Sequence, residues 1–112
     1  MNTSVIVINS NGMGQAEIGL SHKLVKTYLN MLDLGEQRPL AVCFYAEGVK
    51  LACGGSPVLE ELESLAEHGV RLIVCSTCLN YFELMDDLKV GTAGGMKDIV
   101  EAQIEAEKVI TL

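Results

Sequence analysis

The sequence predicts an α/β sandwich: a parallel or mostly parallel sheet of four to five strands with helices on both faces. Two observations carry this expectation. Short apolar runs alternate along the chain with segments of helical period, and the runs are apolar throughout rather than at every second residue. Strands of that kind are buried on both faces, as in parallel sheets covered by crossover helices. One domain is expected over residues 1–112, because no repeat, low-complexity tract or Pro/Gly-rich linker divides the chain and domains typically hold about 100–150 residues.

Ser4-Val5-Ile6-Val7-Ile8 is the first strand, and the turn-rich Asn9-Ser10-Asn11-Gly12-Met13-Gly14 ends it. From Gln15 the period changes: Ile18, Val25, Tyr28, Leu29 and Leu32 share one helical face, and Gly35 is placed to cap the helix. Pro39 precedes the second strand, Leu40 to Tyr45. Ser56-Pro57 reads as a helix start, with Ser56 as N-cap, Pro57 at the first helical position, and Glu60 and Glu61 near the positive end. Leu59, Leu62 and Leu65 or Ala66 form its buried stripe, and Gly69 ends it. Val70 to Cys75 is the third strand. A short helix is expected over Asn80 to Asp87, and a last one from Met96 to Glu107 with Met96, Ile99, Val100 and Ile104 inward. Val109 to Leu112 closes the pattern as a fourth strand.

Composition narrows the function classes. Eight basic and 15 acidic residues give a net charge of −7, and the basic residues are scattered singly. Nucleic acids and anionic membrane surfaces select for clustered Lys and Arg, so neither is expected as a partner. The longest apolar run, Leu40 to Ala46, falls far short of the about 20 residues a membrane helix needs. Met1-Asn2-Thr3-Ser4 has no basic leader region, and Val5 to Ile8 is too short for a signal core. A soluble, cytoplasmic protein is expected, in which the four cysteines, at 43, 53, 75 and 78, are buried small hydrophobes or chemical groups rather than disulfides.

Binding crevices of open α/β sheets lie at the carboxyl ends of the strands. Three segments converge there: Asn9 to Gly14, Glu47 to Ser56, and Cys75-Ser76-Thr77-Cys78. A CxxC placed where a strand ends and a helix begins can have a lowered thiol pKa, because helix N-terminal amides favour the thiolate. With Thr77 as N-cap, Cys78 falls in the first helical turn and is the expected nucleophile, while Cys75 sits at the strand end, less accessible.

Competing readings stand beside this one. A structural CxxC needs no chemistry. A zinc site needs four ligands, and only Cys43, Cys53, His22 and His68 remain to supplement the pair. A thioredoxin-like oxidoreductase also opens a helix with CxxC, but only Pro39 and Pro57 exist, and neither suits a cis-proline beside the site. The Gly12-Met13-Gly14 loop fails the dinucleotide fingerprint, since Glu17 stands where the third glycine belongs, and no Walker lysine follows. A tight turn explains these glycines, though Asn9, Ser10 and Asn11 can still hydrogen-bond a small anion. Cys53-Gly54-Gly55 reads as a flexible loop beside the crevice. Tyr81-Phe82, with Leu84 and Met85, reads as core, crevice lining or subunit interface. No Ser-His-Asp arrangement is visible, and Asp86-Asp87 and Glu60-Glu61 read as solvated helix faces.

Phe44-Tyr45-Ala46-Glu47-Gly48-Val49-Lys50-Leu51, Gly55-Ser56-Pro57-Val58-Leu59-Glu60-Glu61-Leu62, Gly69-Val70, Cys75-Ser76-Thr77-Cys78-Leu79-Asn80-Tyr81-Phe82 and Lys89-Val90-Gly91 resemble, in that order, the DsrE/DsrF-like family. The chain is most similar to the branch that forms the C-terminal half of YedF-like selenium-metabolism proteins. The resemblance covers essentially the whole chain, with Phe44 to Gly91 its specific part. It implies a three-layer α/β/α sandwich, a cytoplasmic location, and assembly as a homotrimer or homohexamer. It also implies sulfur carried as a persulfide on the cysteine that Cys78 matches. YedF-like proteins join this domain to a sulfur-carrier domain bearing a Cys-Pro motif, and this chain has no Cys-Pro pair. The expected partner is therefore a separate sulfur-donor or acceptor protein. The first loop is also less acidic than in that branch.

The expectation is a sulfurtransferase-like carrier, with Cys78 accepting sulfur or selenium and Cys75 either assisting release through an internal disulfide or merely packing. Asn9, Asn11, Gly12, Gly48, Cys53, Thr77 and Tyr81 are the binding candidates, and no metal or cofactor is expected. The alternative is a non-catalytic oligomeric module that binds a small ligand or a protein in the same crevice.

Overall fold

The computed structural model describes residues 3–112. Met1 and Asn2, which open the stretch read as lacking a leader, lie outside the described residues. Strand β1 (Ser4–Ile8) is followed by helix α1 (Ile18–Leu34), β2 (Ala41–Phe44), a 3-10 segment (Ala46–Ala52), α2 (Leu59–Glu67), β3 (Arg71–Cys75), α3 (Ser76–Tyr81), a short 3-10 turn (Met85–Asp87), β4 (Thr92–Gly94), α4 (Met96–Glu105) and β5 (Lys108–Thr111). The strands form one parallel sheet in the order β4-β3-β2-β1-β5. The chain steps from β1 to β4 in one direction, and α1 packs against α2 on one face. The return from β4 to β5 reverses direction, so with right-handed crossovers α4 lies on the opposite face, against β3 and β4.

All residues of β1 and β2 are buried, as are four of the five in β3. They form the core with Val25 and Leu29 of α1 and Leu62 and Leu65 of α2. Gly69 ends α2 as expected: at φ +91° it lets its own N–H reach the Ala66 carbonyl and the Val70 N–H reach that of Leu65, the Schellman pattern.

Several expectations shift. Helix α2 starts at Leu59, because the Ser56 hydroxyl accepts the Val58 N–H (3.2 Å) and so closes a turn before the helix rather than capping it. Ala66 faces solvent. Gly35 follows α1 at φ −71°, so it stops the helix without the left-handed turn. Strand β3 passes straight into α3, so the short helix spans Ser76–Tyr81 rather than Asn80 to Asp87, where only the 3-10 turn forms. β4 is an exposed three-residue edge strand that the apolar pattern does not announce.

The amphipathic faces are less buried than their spacing suggests. Ile18 stands at the exposed start of α1, and α4 buries only Ile99 and Ala102. Leu20, Leu24, Met31 and Leu34 on α1, and Met96, Val100 and Ile104 on α4, remain exposed as two apolar stripes. Among the described residues no helix is long and apolar enough to cross a membrane.

Candidate functional site

The carboxyl ends of β1, β2 and β3 bring the candidate residues together. Cys75 is the last residue of β3 and also the N-cap of α3 (φ −60°, ψ 117°). Thr77 is therefore not the cap but an exposed residue inside the helix. Cys78 lies in the first turn all the same. Its thiol is partly exposed, whereas Cys43, Cys53 and Cys75 are buried, and all four are free.

The Ala46 N–H donates to Cys78 Sγ at 3.1 Å. The backbone before it explains the placement. The Tyr45 N–H continues the β1–β2 pairing onto the Ile8 carbonyl (3.1 Å), and Ala46 then turns the chain at φ +51°. A left-handed conformation costs a residue with a Cβ about 1–2 kcal/mol, so the amide facing the sulfur sits on a strained turn. Gly48 fixes the same turn from the other side: a Cβ there would lie 2.1 Å from the Ile8 carbonyl oxygen. Gly48 thus acts through backbone packing rather than ligand contact.

Burial pushes the Cys78 thiol up from its ordinary pKa, and the Ala46 N–H opposes this only in part. Cys75, in side-chain hydrogen-bond contact with it, adds to the upward shift. The lowering expected from the helix N-terminus is outweighed, because the short α3 does not compensate for the sulfur's desolvation. Burial likewise raises Cys43, with Arg71 opposing, and raises Cys53, with Asp87 adding to it.

The remaining candidates separate. The Cys53 segment is pinned rather than flexible: Cys53 bridges to Leu88, its thiol donates to the Val49 carbonyl (3.3 Å), and Gly54 N–H donates to the Asp87 carbonyl (3.1 Å). Gly12 docks the first loop on α1, since a Cβ on it would lie 2.6 Å from Ser21 Cβ. Asn9 is half-buried just past β1. Tyr81 is 82% exposed, with its ring edge-on to Phe82 at 5.4 Å. Lys50 Nζ stands 4.7 Å over the Phe82 ring and pairs with Glu47.

A cavity of about 280 Å³ opens beside these segments, with Asn11, His22, Lys50, Cys53 and Ser56 in its wall. A larger one of about 490 Å³ lies along the β4 edge, reaching Arg71 at the amino end of β3. His22, weighed in the sequence only as a zinc ligand, and Lys50, named there only within the resembling stretch, meet in the wall of the smaller cavity. His22 stands three residues before Val25, beside the buried stripe of α1.

Asp33, Ser64 and His68 also meet: the Ser64 hydroxyl donates to Asp33 Oδ2 (2.5 Å), and His68 Nδ1 lies 2.7 Å from Asp33 Oδ1. The serine bonds the carboxylate and not the imidazole, so the Ser-His-Asp order of a catalytic triad is not formed. The cluster clamps α1 to α2. Among the described residues no group of three or more His, Cys, Asp or Glu is arranged to hold a metal ion.

No curated protein matches the chain. Several solved structures share its fold. The ychN protein from E. coli is 20% identical with a TM-score of 0.69, over the whole of both chains. MTH1491 from Methanobacterium thermoautotrophicum, a protein of unknown function, is 25% identical with a TM-score of 0.67, again over the whole of both. BT1422 from Bacteroides thetaiotaomicron, also of unknown function, is 15% identical with a TM-score of 0.65 over 97% of this chain and 94% of that one. A model of the DsrE/DsrF-like family matches residues 3–112, and with that span covering the whole sheet and the thiol-bearing strand end, the chain belongs to the DsrE/DsrF-like family.

Proposed function

We propose that this chain is a sulfurtransferase-like carrier in which Cys78 holds sulfur, or selenium, as a persulfide-type adduct. The observation that carries the reading is the pairing of the partly exposed Cys78 thiol with a directed N–H donor, that of Ala46 at 3.1 Å. In the loading step the Cys78 thiolate attacks the outer sulfur of a donor persulfide. The donor S–S bond breaks, its thiolate leaves, and a new S–S bond forms on Cys78. In discharge an acceptor thiolate attacks that outer sulfur and the Cys78 thiolate departs, so no net oxidation occurs. An S–S bond of about 2.05 Å carries the transferable atom outward from the part-buried Sγ. The Ala46 amide favours the anionic form of the leaving sulfur.

Donor and acceptor are read as separate proteins, the location as cytoplasmic, and the nearest branch as the YedF-like one, on the stretch from Phe44 to Gly91. The two exposed apolar stripes support a homotrimer or homohexamer. One observation favours the alternative, a binding module without thiol chemistry: burial raises the Cys78 thiol, which slows a nucleophile at neutral pH.

Timed alkylation with peptide mapping separates the two. The carrier reading expects Cys78 to react well ahead of Cys43, Cys53 and Cys75, at a rate that climbs steeply as pH rises above neutrality. Four thiols reacting only on unfolding would favour the module.

A further inference from the structure

We propose that Cys75 is the resolving thiol of Cys78. It attacks the sulfur-loaded Cys78, releases the carried atom as hydrosulfide and leaves a Cys75–Cys78 disulfide. That disulfide shuts the site until an external dithiol reduces it. This rests on the carrier reading and gives the site a second exit for sulfur and an off state.

The start of α3 sets the pair. Cys75 is its N-cap, so Ser76 and Thr77 are the first two helical residues and Cys78 is the third. Side chains at the N-cap and the third helical position turn toward each other, as the partners of a capping box do. Here both are thiols, and they are in hydrogen-bond contact. Helical rise and radius put Cα atoms three residues apart at roughly 5–6 Å, inside the span of about 4.4–6.8 Å that a disulfide bridges. The other two thiols are not placed to compete. Cys43 pairs across the sheet with Ile73, two residues short of Cys75, so strand rise and spacing put its Cα roughly 8 Å from that of Cys75. The Cys53 thiol is turned to the Val49 carbonyl at 3.3 Å.

Burial decides which sulfur is attacked and which one leaves. Cys75 is fully buried, while Cys78 is partly exposed. The carried sulfur therefore points to solvent, and Cys75 meets Cys78 Sγ from the inner side, opposite the atom that departs. The Cys75 sulfur bonds to Cys78 Sγ, the bond from Sγ to the outer sulfur breaks, and the Cys75 proton leaves with that sulfur as HS⁻. Cys75 is oxidised as the carried sulfur is reduced, so no other oxidant enters. In the return step an external dithiol attacks the exposed Cys78 sulfur, and the Cys75 thiolate departs and takes up a proton. The second thiol of the reductant then resolves the mixed disulfide, so the reductant ends as the disulfide. Such a carrier hands its sulfur on when an acceptor arrives first and empties itself when none does.

The test follows the full chain without oxygen, after a low-molecular-weight persulfide has loaded it and been removed by desalting. Intact mass after an alkylating quench in denaturant reports the load, and trapped sulfide reports its release. The wild type is expected to lose its sulfur as one sulfide per chain. The segment between Arg71 and Lys89, whose only cysteines are Cys75 and Cys78, should then resist alkylation until dithiothreitol is added. The loss should quicken as pH rises, because the thiolate is the attacking form. Cys75→Ser should take up sulfur and hold it about ten-fold longer or more, and serine is a preferred N-cap, so α3 keeps its start. Cys75→Ala, which has no hydroxyl, should hold its sulfur equally long. No uptake by any of the three proteins would take down the carrier reading and this inference with it. Uptake by all, with the wild type holding its sulfur as long as Cys75→Ser or releasing it without closing the pair, would overturn this inference alone and leave the carrier reading standing.

Discussion

Gly48 shows how one residue type can be required by distance alone. The carbonyl that ends β1 fills the space a side chain would need, with 2.1 Å between Ile8 O and an added Cβ. The obstructing atom is backbone, so relief means moving the strand end and, with it, the turn that aims the Ala46 amide at Cys78. Gly48→Ala should cost about 3 kcal/mol or more, read as a lower denaturant midpoint. Gly19→Ala is the contrast: its nearest neighbour is the flexible Glu17 carboxylate, and a near-neutral change is expected. Equal stabilities for the two variants would show that the turn is not held as described. The resemblance singled out Gly48 within a matching stretch, but nothing local in the sequence says that its neighbour is Ile8.

At the scale of elements, the clamp between α1 and α2 is the feature with a pH signature. Asp33 is held below the usual carboxylate range, chiefly by the Ser64 hydroxyl and further by His68 and Arg38. A carboxyl with a lowered folded pKa contributes stability that is full above its unfolded value, near pH 4, and is lost as pH falls through the folded one. Asp33→Asn should therefore destabilise the protein by about 1–2 kcal/mol at neutral pH, with water screening the outer partners. The gap to wild type should close below about pH 4. A gap that stays constant down to acid unfolding would contradict the assignment.

Legibility in the sequence followed burial. The runs Val5 to Ile8, Ala41 to Phe44 and Leu72 to Cys75 are walled in on both faces, so their composition alone marks them as strands. Thr92-Ala93-Gly94 forms an exposed edge whose pairing comes from its neighbour β3, and no pattern records it. The start of α3 at Ser76 escapes the sequence pattern for a related reason. Cys75 serves as strand end and helix cap at once, so no loop residues announce the change. Of the site, the sequence revealed the position of Cys78 and the burial of Cys75. It did not reveal the sign of the thiol's pKa shift, which depends on packing contributed by distant segments.

For the whole molecule, the outward stripes of α1 and α4 are exposed apolar surface. Met31 is 62% exposed, Val100 46% and Ile104 79%, at spacings that keep each stripe on one helical face. If they are subunit interfaces, light scattering should give a mass three or six times 12.1 kDa. Leu24→Glu or Val100→Glu should then lower it. A wild type that elutes at a single chain's mass would remove the oligomer from the account.

The most direct test of the central claim is the intact mass of the non-reduced protein after exposure to a low-molecular-weight persulfide, beside Cys78→Ser and Cys75→Ser. The carrier account predicts the added mass of one sulfur atom on the wild type, its absence from Cys78→Ser, and altered but surviving loading in Cys75→Ser. Loading that persists in Cys78→Ser, or a wild type that takes up no sulfur while its thiols stay free, would contradict it.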